Sequence, residues 1–363
     1  MKEPLAATAG APVTPAPVLP HDASRDLWVD HAKGLGIVLV VYGHVARGLF
    51  NAQVPMDEAT YRAVDAALYS FHMPLFFFLA GLFFVDSLQK RGAGGFVLNK
   101  VDTIVYPYVL WSILQGLIEV VMGQWTNGQV GLRDVLSLLW APRAHFWFLY
   151  ALFLICLLGA LVYSVVSRRH AGWVALAGVG LYLARPYLPD VPNLGFVTTF
   201  FVYVAAGVWF RDLQASVARH ARWGVWALGA ACLAAQAFLY TESAAGRDVG
   251  EALRLGIAAV SIAFVVLLCQ GLAPGRPGWL ARLGQASMVI YLAHVLAGSG
   301  ARIVLAKLFH TQHLGLHLVV GCAAGIGVSL VLLSLARRSR LVAALFENPV
   351  PLEQRLRRQP HPA

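Results

Sequence analysis

Apolar runs long enough to cross a lipid bilayer follow one another along almost the whole chain, separated by short basic segments. A membrane-spanning helix needs about 20 predominantly apolar residues. Of the 363 residues, 58% are apolar and only 13% are charged, whereas soluble domains are usually about one-quarter charged. These proportions exclude a soluble enzyme, a disordered chain and a disulfide-rich scaffold. They predict an all-α, polytopic transmembrane bundle.

The apolar runs predict about ten spans. They lie at 31–50, 66–86, 103–123, 146–166, 171–188, 194–210, 223–241, 251–272, 287–308 and 316–336. The fifth is the weakest, because it is rich in glycine and ends at Arg185-Pro186. Residues 1–24 predict a flexible, Pro-rich cytoplasmic tail, residues 25–340 the membrane domain, and residues 341–363 a basic cytoplasmic tail.

The distribution of basic residues predicts the orientation in the membrane. If the N-terminus is cytoplasmic, 19 of the 28 Lys and Arg residues lie on the inner side. Cytoplasmic loops carry an excess of these residues, so both termini are expected in the cytoplasm. The net charge of +10 is then explained by membrane topology, and no nucleic-acid partner is expected.

The first span carries two basic residues, Lys33 and His44, on one helical face. Their separation of 11 residues corresponds to three helical turns plus about 20°, and to a rise of roughly 16 Å. Ionisable residues within a span usually face a cavity or a partner. The spacing therefore predicts a cation at the inner mouth of a site and an imidazole deeper on the same wall. The alternative is a snorkelling lysine and a packed histidine.

The second span carries His72 near its outer end, at about the predicted depth of His44. We therefore expect the two imidazoles to converge near the outer leaflet, with Pro74 kinking the helix beside them. The alternative for His72 is an interfacial anchor.

Further polar groups lie within or beside the later spans. Gln115 and Glu119 are one turn apart in the outer half of the third span. Arg302 is predicted at similar depth in the ninth span, so Glu119 and Arg302 either serve a site or form a structural pair. His294 is predicted nearer the cytoplasmic half of the ninth span, in packing or in a tunnel wall. Trp147 belongs to an aromatic belt or to a sugar-stacking rim.

Five segments, in this order, resemble landmarks of one family, the acyltransferase-3 family of integral-membrane acyltransferases. They are Lys33 followed after ten residues by His44, Phe71-His72-Met73-Pro74-Leu75-Phe76-Phe77-Phe78, Tyr106-Pro107-Tyr108, Trp147-Phe148-Leu149 and Ile290-Tyr291-Leu292-Ala293-His294. The second segment resembles the fucose O-acetylase-like branch. The resemblance covers about residues 25–336. One departure is Lys100-Val101-Asp102-Thr103, where family members commonly carry a pair of arginines.

The resemblance implies a multi-pass enzyme of the bacterial inner membrane. It would transfer an acyl group, expected to be acetyl, from cytoplasmic acyl-coenzyme A to a hydroxyl of a cell-envelope carbohydrate or glycolipid. Acyl-coenzyme A would be a co-substrate, and no cofactor or metal would be bound permanently. The protein could also associate with further copies of itself as a homo-oligomer. The residues assigned on this basis are catalytic His44, His72 and Glu119; donor-binding Asp30, Lys33, Lys90, Arg91 and Lys100; and acceptor-binding or tunnel-lining Tyr42, Gln115, Arg143, Trp147, Tyr291, His294 and Arg302.

Two other classes of protein compete with this prediction. A proton-coupled transporter or flippase of an anionic glycolipid would also use intramembrane His, Glu and Arg residues. The sequence has no visible pair of repeats with broken helices, which many transporters have. A non-catalytic membrane scaffold would not need Lys33 and His44 on one helical face.

Overall fold

The computed structural model describes residues 26–123, 130–272 and 278–352, with only the backbone described for residues 220–222. The described residues form α-helices joined by short 3₁₀ and π segments, and they contain no β-strand. The α-helices are α1 Leu27–Asn51, α2 Glu58–Tyr69, α3 His72–Leu82, α4 Phe84–Lys100, α5 Tyr106–Val121, α6 Leu132–Leu136, α7 Trp147–Val165, α8 Ala171–Ala184, α9 Leu194–Ala244, α10 Glu251–Leu272, α11 Trp279–Gln285, α12 Ser287–Lys307, α13 Leu314–Ala336 and α14 Arg340–Ala343. The expectation of an all-α polytopic bundle is confirmed.

Nine helical segments of the described chain are long and apolar enough to cross a membrane. They correspond to every predicted span except the fifth. There the structure has α8, which is only 14 residues long, followed by a 3₁₀ turn at Arg185–Tyr187. The shortening follows from Pro186, because proline has no backbone N–H to continue the α-helical hydrogen bonding.

Helix α8 nevertheless connects the two ends of the bundle. Just before α8, Arg168 forms an ion pair with Asp212 at 2.8 Å. Just after it, Arg185 pairs at 3.2 Å with Glu251, the first residue of α10. Helix α8 and its 3₁₀ turn have a rise of about 27 Å, close to the thickness of a hydrocarbon core. Helix α8 therefore occupies the place of the predicted fifth span, but it is not among the helices long enough to cross a membrane alone.

The first and last parts of α9 both pack on α3 and the residues just before it. The chain must therefore reverse direction between these two parts. The backbone at Gly207 contacts Phe78 of α3, and the Gln236 amide donates to Ser70, two residues before α3, at 3.0 Å. A straight helix would place Gly207 and Gln236 about 44 Å apart, far more than the length of α3. This reversal provides the predicted sixth and seventh spans.

Glycines allow two of the helix crossings to be close. A Cβ at Gly81 of α3 would overlap the carbonyl oxygen of Val204 in α9. Likewise, a Cβ at Gly284 of α11 would overlap the carbonyl oxygen of Asp30 in α1. Small residues let helix backbones approach closely in membranes. The second crossing presses α11 against the start of α1, the helix that carries His44.

The segment after α13 folds back onto the start of α5. The Tyr106 hydroxyl donates to the Ala344 carbonyl at 2.6 Å, and the Trp111 indole donates to the Leu345 carbonyl at 2.6 Å. The Asn348 amide donates to Asp102, in the π-helical turn Val101–Val105, at 2.6 Å. The first residues of the predicted C-terminal tail are thus docked on the bundle.

Candidate active site

Three imidazole rings meet in the interior of the bundle. The His44 ring centroid lies 5.5 Å from that of His145 and 5.2 Å from that of His294. The His145 and His294 centroids are 5.1 Å apart. We refer to His44, His145 and His294 as the histidine cluster. Because α1 is one continuous helix from Leu27 to Asn51, Lys33 and His44 share one face of it, as their spacing predicts.

His294 is fully buried in α12 and is held in one tautomer. Its Nδ1 lies 2.9 Å from the carbonyl oxygen of Ile290 and 2.8 Å from that of Tyr291. A carbonyl only accepts, so Nδ1 carries the proton and the lone pair is on Nε2. That Nε2 is buried and has no hydrogen-bond partner among the described residues. His294 therefore offers an unused base beside His44.

The structure places His294 at the level of His44, whereas the sequence predicts it nearer the cytoplasmic half. The difference arises from α11, which packs along α1 before α12 begins. Its glycine Gly284 lies against Asp30, and the adjacent Gln285 amide donates to the Asp30 carboxylate at 3.0 Å. Helix α12 thus begins within the bundle, and depth cannot be counted from its first residue.

His145 reaches the histidine cluster from a short turn before α7. The turn, Ala144–Phe146, is 3₁₀-helical, and Ala144 has a φ of 48°, which is uncommon outside glycine. The Tyr291 hydroxyl donates to the His145 carbonyl. The sequence alone does not single out His145 as a site residue, because it directly precedes Phe146 and Trp147 and resembles part of an aromatic belt.

An ion pair stabilises the turn that carries His145. Arg143 Nη2 lies 2.7 Å from Glu119 Oε2 in α5, and the Gln115 amide donates to the other Glu119 oxygen at 2.9 Å. The expected pair of Glu119 with Arg302 is therefore replaced by a pair with Arg143. Gln115, Glu119 and Arg143 position the His145 turn, and we call them the turn clamp.

His72 lies in a separate polar cluster beside the histidine cluster. Its Nδ1 lies 2.5 Å from the Leu68 carbonyl, and its ring packs edge-on against Tyr69, with 4.5 Å between centroids. Tyr69 in turn accepts a hydrogen bond from Arg47 at 2.6 Å, and Arg47 pairs with Asp65 at 2.8 Å. In the described contacts, the rings that meet His44 belong to His145 and His294, not to His72.

Two predicted aromatic residues have different surroundings. Trp147 stacks on Phe196 and Phe200 of α9, with centroids 5.8 Å and 5.3 Å away, which fits packing better than a sugar rim. Tyr291 lies beside His145, with centroids 5.2 Å apart, and forms part of the wall of the histidine cluster.

A narrow polar cleft extends from the histidine cluster between α1, α12 and α13. It is lined by His44, Val45, Gly48, Leu49, His294, Val295, Gly298, Ser299, Arg302 and His317. About 20 Å³ is open to the centres of water-sized molecules, which is room for one or two waters. The cleft therefore reaches His44 from the Asn51 end of α1, but must widen to admit a larger molecule.

A wider, mainly apolar cleft lies on the other side of α1. Its lining includes Tyr42, Gly43, Ala46, Met56, Asp57, Thr60, Tyr61, Val64, Asp65, Leu68, Leu314 and Leu318. About 110 Å³ of this cleft is open to the centres of water-sized molecules. The Asp57 carboxylate accepts a hydrogen bond from the Thr60 amide at 2.8 Å, which holds the pKa of Asp57 below its ordinary value. Tyr42 is the predicted acceptor residue that lies here.

The residues predicted to bind the donor contact different neighbours. Asp30 is buried and bonded to Gln285. Arg91 donates to the Ser87 hydroxyl at 3.0 Å, and the Lys100 ammonium lies 5.0 Å from the centre of the Phe96 ring. Lys90 is exposed. Lys90, Arg91 and Lys100 belong to α4, whereas Asp30 and Lys33 belong to α1.

A network of ion pairs connects four segments of the chain at the Asp26 end of α1. Asp86 accepts from Arg168 at 2.6 Å and lies 3.8 Å from Arg211. Arg168 also pairs with Asp212, and Arg211 pairs with Asp26 at 2.5 Å. This network holds the starts of α1, α4 and α8 against the interior of α9.

The arrangement suits proton transfer within a membrane. Imidazole is the side chain most often used as a general acid or base, and His294 presents an unprotonated nitrogen next to His44. In the part of the chain that the structure describes, no three His, Cys, Asp or Glu side chains converge to hold a metal ion. The fold and the site together define a polytopic membrane protein with a buried histidine centre.

Comparison with known proteins identifies the class. The acyltransferase domain model of the acyltransferase-3 family matches residues 26–334, so the chain belongs to that family. It is 24% identical over 180 residues to nodulation protein NolL of Sinorhizobium fredii, and 24% identical over 187 residues to NolL of Mesorhizobium japonicum. These matches cover 49% of this chain and 47% and 46% of the relatives. The chain thus matches about half the length of these relatives. No solved structure matches the chain significantly.

Proposed function

We propose that this protein is a membrane acyltransferase that moves an acetyl group from acetyl-coenzyme A to a hydroxyl of a cell-envelope carbohydrate or glycolipid, as expected for the fucose O-acetylase-like branch. The observation that carries the proposal is the histidine cluster at the inner end of a polar cleft. The proposal places the Asp26 end of α1 in the cytoplasm of a bacterial inner membrane, where the excess of Lys and Arg is expected.

His44 is the proposed catalytic base. The acceptor hydroxyl oxygen attacks the thioester carbonyl, the carbon–oxygen bond forms and the carbon–sulfur bond breaks. The hydroxyl proton passes to the imidazole of His44 and then to the departing coenzyme A sulfur, so atoms and charge balance. His145 and His294 flank His44, where the sequence predicts the further catalytic residues His72 and Glu119.

The donor is proposed to approach along α1 from the Asp26 end. Lys33 lies on the face that leads to His44, about 16 Å away along the helix. This suits a ligand with an anionic head and a reactive tail, with Arg91 and Lys100 adding positive charge near the entrance. Loss of charge at Lys33 and Arg91 should weaken donor binding, most visibly at low salt.

The decisive experiment measures coenzyme A release by purified protein supplied with acetyl-coenzyme A and candidate glycans. Base catalysis typically contributes about 10²–10⁴-fold, so His44→Ala should lower turnover by that factor while donor affinity stays nearly unchanged. The matched control is His170→Ala, since His170 is exposed between α7 and α8. Near-native turnover by folded His44→Ala at saturating substrates would refute the assignment.

The alternative function is a proton-coupled transporter or flippase of an anionic glycolipid. The lone pair of His294 and the cation of Arg302 in one cleft are compatible with it. Glycolipid transport into vesicles without release of coenzyme A would favour this alternative. Mass spectrometry of envelope glycans from a deletion strain would report the acceptor and the acyl group together.

A further inference from the structure

Arg302 is a cation without a counter-charge among the described residues that line the polar cleft. Its Nε is buried and has no hydrogen-bond partner among the described residues. The lining of the cleft contains three histidines and no carboxylate. The acid expected beside Arg302, Glu119, is bonded to Arg143. Arg302 is half-buried, and an ionisable residue within a membrane span usually faces a cavity or a partner and marks a binding site.

The position of Arg302 relates it to the reaction centre. His294, Gly298 and Arg302 follow one another at intervals of four residues on α12, and all three line the cleft. Arg302 lies about 12 Å farther along the helix than His294, toward the Lys307 end. A ligand that enters the cleft from this end meets the Arg302 guanidinium first. It reaches the imidazoles of His44 and His294 about two helical turns later.

We propose that Arg302 binds an acidic group of the acceptor, so that the acceptor is an anionic carbohydrate such as a uronic acid. The guanidinium matches a carboxylate in geometry and charge and can bind it with two parallel hydrogen bonds. With the carboxylate held there, a hydroxyl on the same sugar unit or on its neighbour reaches toward His44. This inference rests on the proposed function, whose acceptor it narrows.

The first test measures binding without turnover. Purified protein in a neutral detergent is titrated with glucuronate and, separately, with glucuronamide, which has nearly the same shape but no charge. Glucuronate should raise the thermal unfolding midpoint of the wild-type protein and of the control Arg62→Gln. Arg62 pairs with Glu58 on the exposed surface. In Arg302→Gln, the affinity for glucuronate should fall about 10- to 100-fold, as expected for the loss of a charge-assisted hydrogen bond.

The second test uses the coenzyme A release assay with methyl glucuronide and methyl glucoside as acceptors. The ratio of their kcat/KM values should favour the glucuronide in the wild type, and Arg302→Gln should reduce that ratio by about 10- to 100-fold. Arg302→Lys, which keeps the charge but not the planar fork, should recover part of it.

The outcomes separate the two proposals. Turnover with equal preference for both glycosides in wild type and Arg302→Gln would overturn the acidic acceptor and leave the acyl transfer intact. Glucuronate binding that depends on Arg302, without any release of coenzyme A, would support the site and refute the proposed function. If phosphatidylglycerol protected the protein as strongly as glucuronate, and only when Arg302 was present, the cation would belong to a lipid headgroup and the inference would be wrong.

Discussion

The turn clamp makes a prediction that distinguishes positioning from catalysis at Glu119. Glu119 and Arg143 are 21% and 19% exposed, and their charged atoms are 2.7 Å apart. A charge-assisted hydrogen bond is worth about 1.5–3 kcal/mol when buried, and partial exposure reduces this. We therefore expect a coupling free energy of about 2 kcal/mol in a double-mutant cycle of Glu119→Gln and Arg143→Gln.

The assay is equilibrium unfolding of the four proteins in mixed micelles, with a second cycle as the control. Arg62 and Glu58 form an ion pair on α2 that is 66% and 59% exposed. Their coupling should be below about 0.5 kcal/mol. Equal coupling in the two cycles would refute the idea that the clamp is a structural anchor.

Turnover of the same variants completes the test. A clamp that only positions His145 predicts that each single variant and the double variant lose a similar factor, about 10- to 100-fold, because a small misplacement of a reacting group has that effect. A catalytic Glu119 predicts a large loss in Glu119→Gln and a much smaller one in Arg143→Gln. The latter result would contradict a purely positioning role for Glu119.

Two further predictions concern packing. Gly81→Ala should lower the free energy of unfolding by about 1–3 kcal/mol, because the new methyl group would meet the carbonyl oxygen of Val204. The control in the same unfolding assay is Gly180→Ala, where a methyl group would meet no described residue. An equal effect of the two substitutions would contradict the close crossing. Trp111→Phe removes the indole donor to Leu345, so it should speed hydrogen exchange of the segment after α13 at a cost of about 1 kcal/mol. Exposed Trp226 provides the control substitution, and unchanged exchange in Trp111→Phe would argue against the docking.

Most of the spans were predictable because span length is a local property of the sequence. About 20 apolar residues must cross the hydrocarbon core wherever the helix lies in the bundle, and nine predicted spans are helices of that kind. The exception, α8, shows what a length rule omits. A helix that pairs with the first part of α9 can stop near Pro186 and still reach the opposite side through a 3₁₀ turn.

The candidate site was predictable only in part. Lys33 and His44 share a helical face because their spacing matches the helix period, which a sequence displays. His145 enters the site through a turn whose path depends on Ala144 having a positive φ and on the pair between Arg143 and Glu119. Neither feature has a periodic signature. The signal available was a histidine at the start of an apolar span, two residues after Arg143, and the aromatic residues that follow it obscured that signal.

The narrowness of the polar cleft bears on how such a protein coexists with a proton gradient. A proton that leaks across 100 mV dissipates about 2.3 kcal/mol. A continuous file of waters that could conduct protons across 30 Å of hydrocarbon would need roughly ten molecules. The cleft beside His44 has room for one or two. At this width the cleft cannot hold a continuous file of waters across the membrane, and a substrate would have to widen it to reach His44.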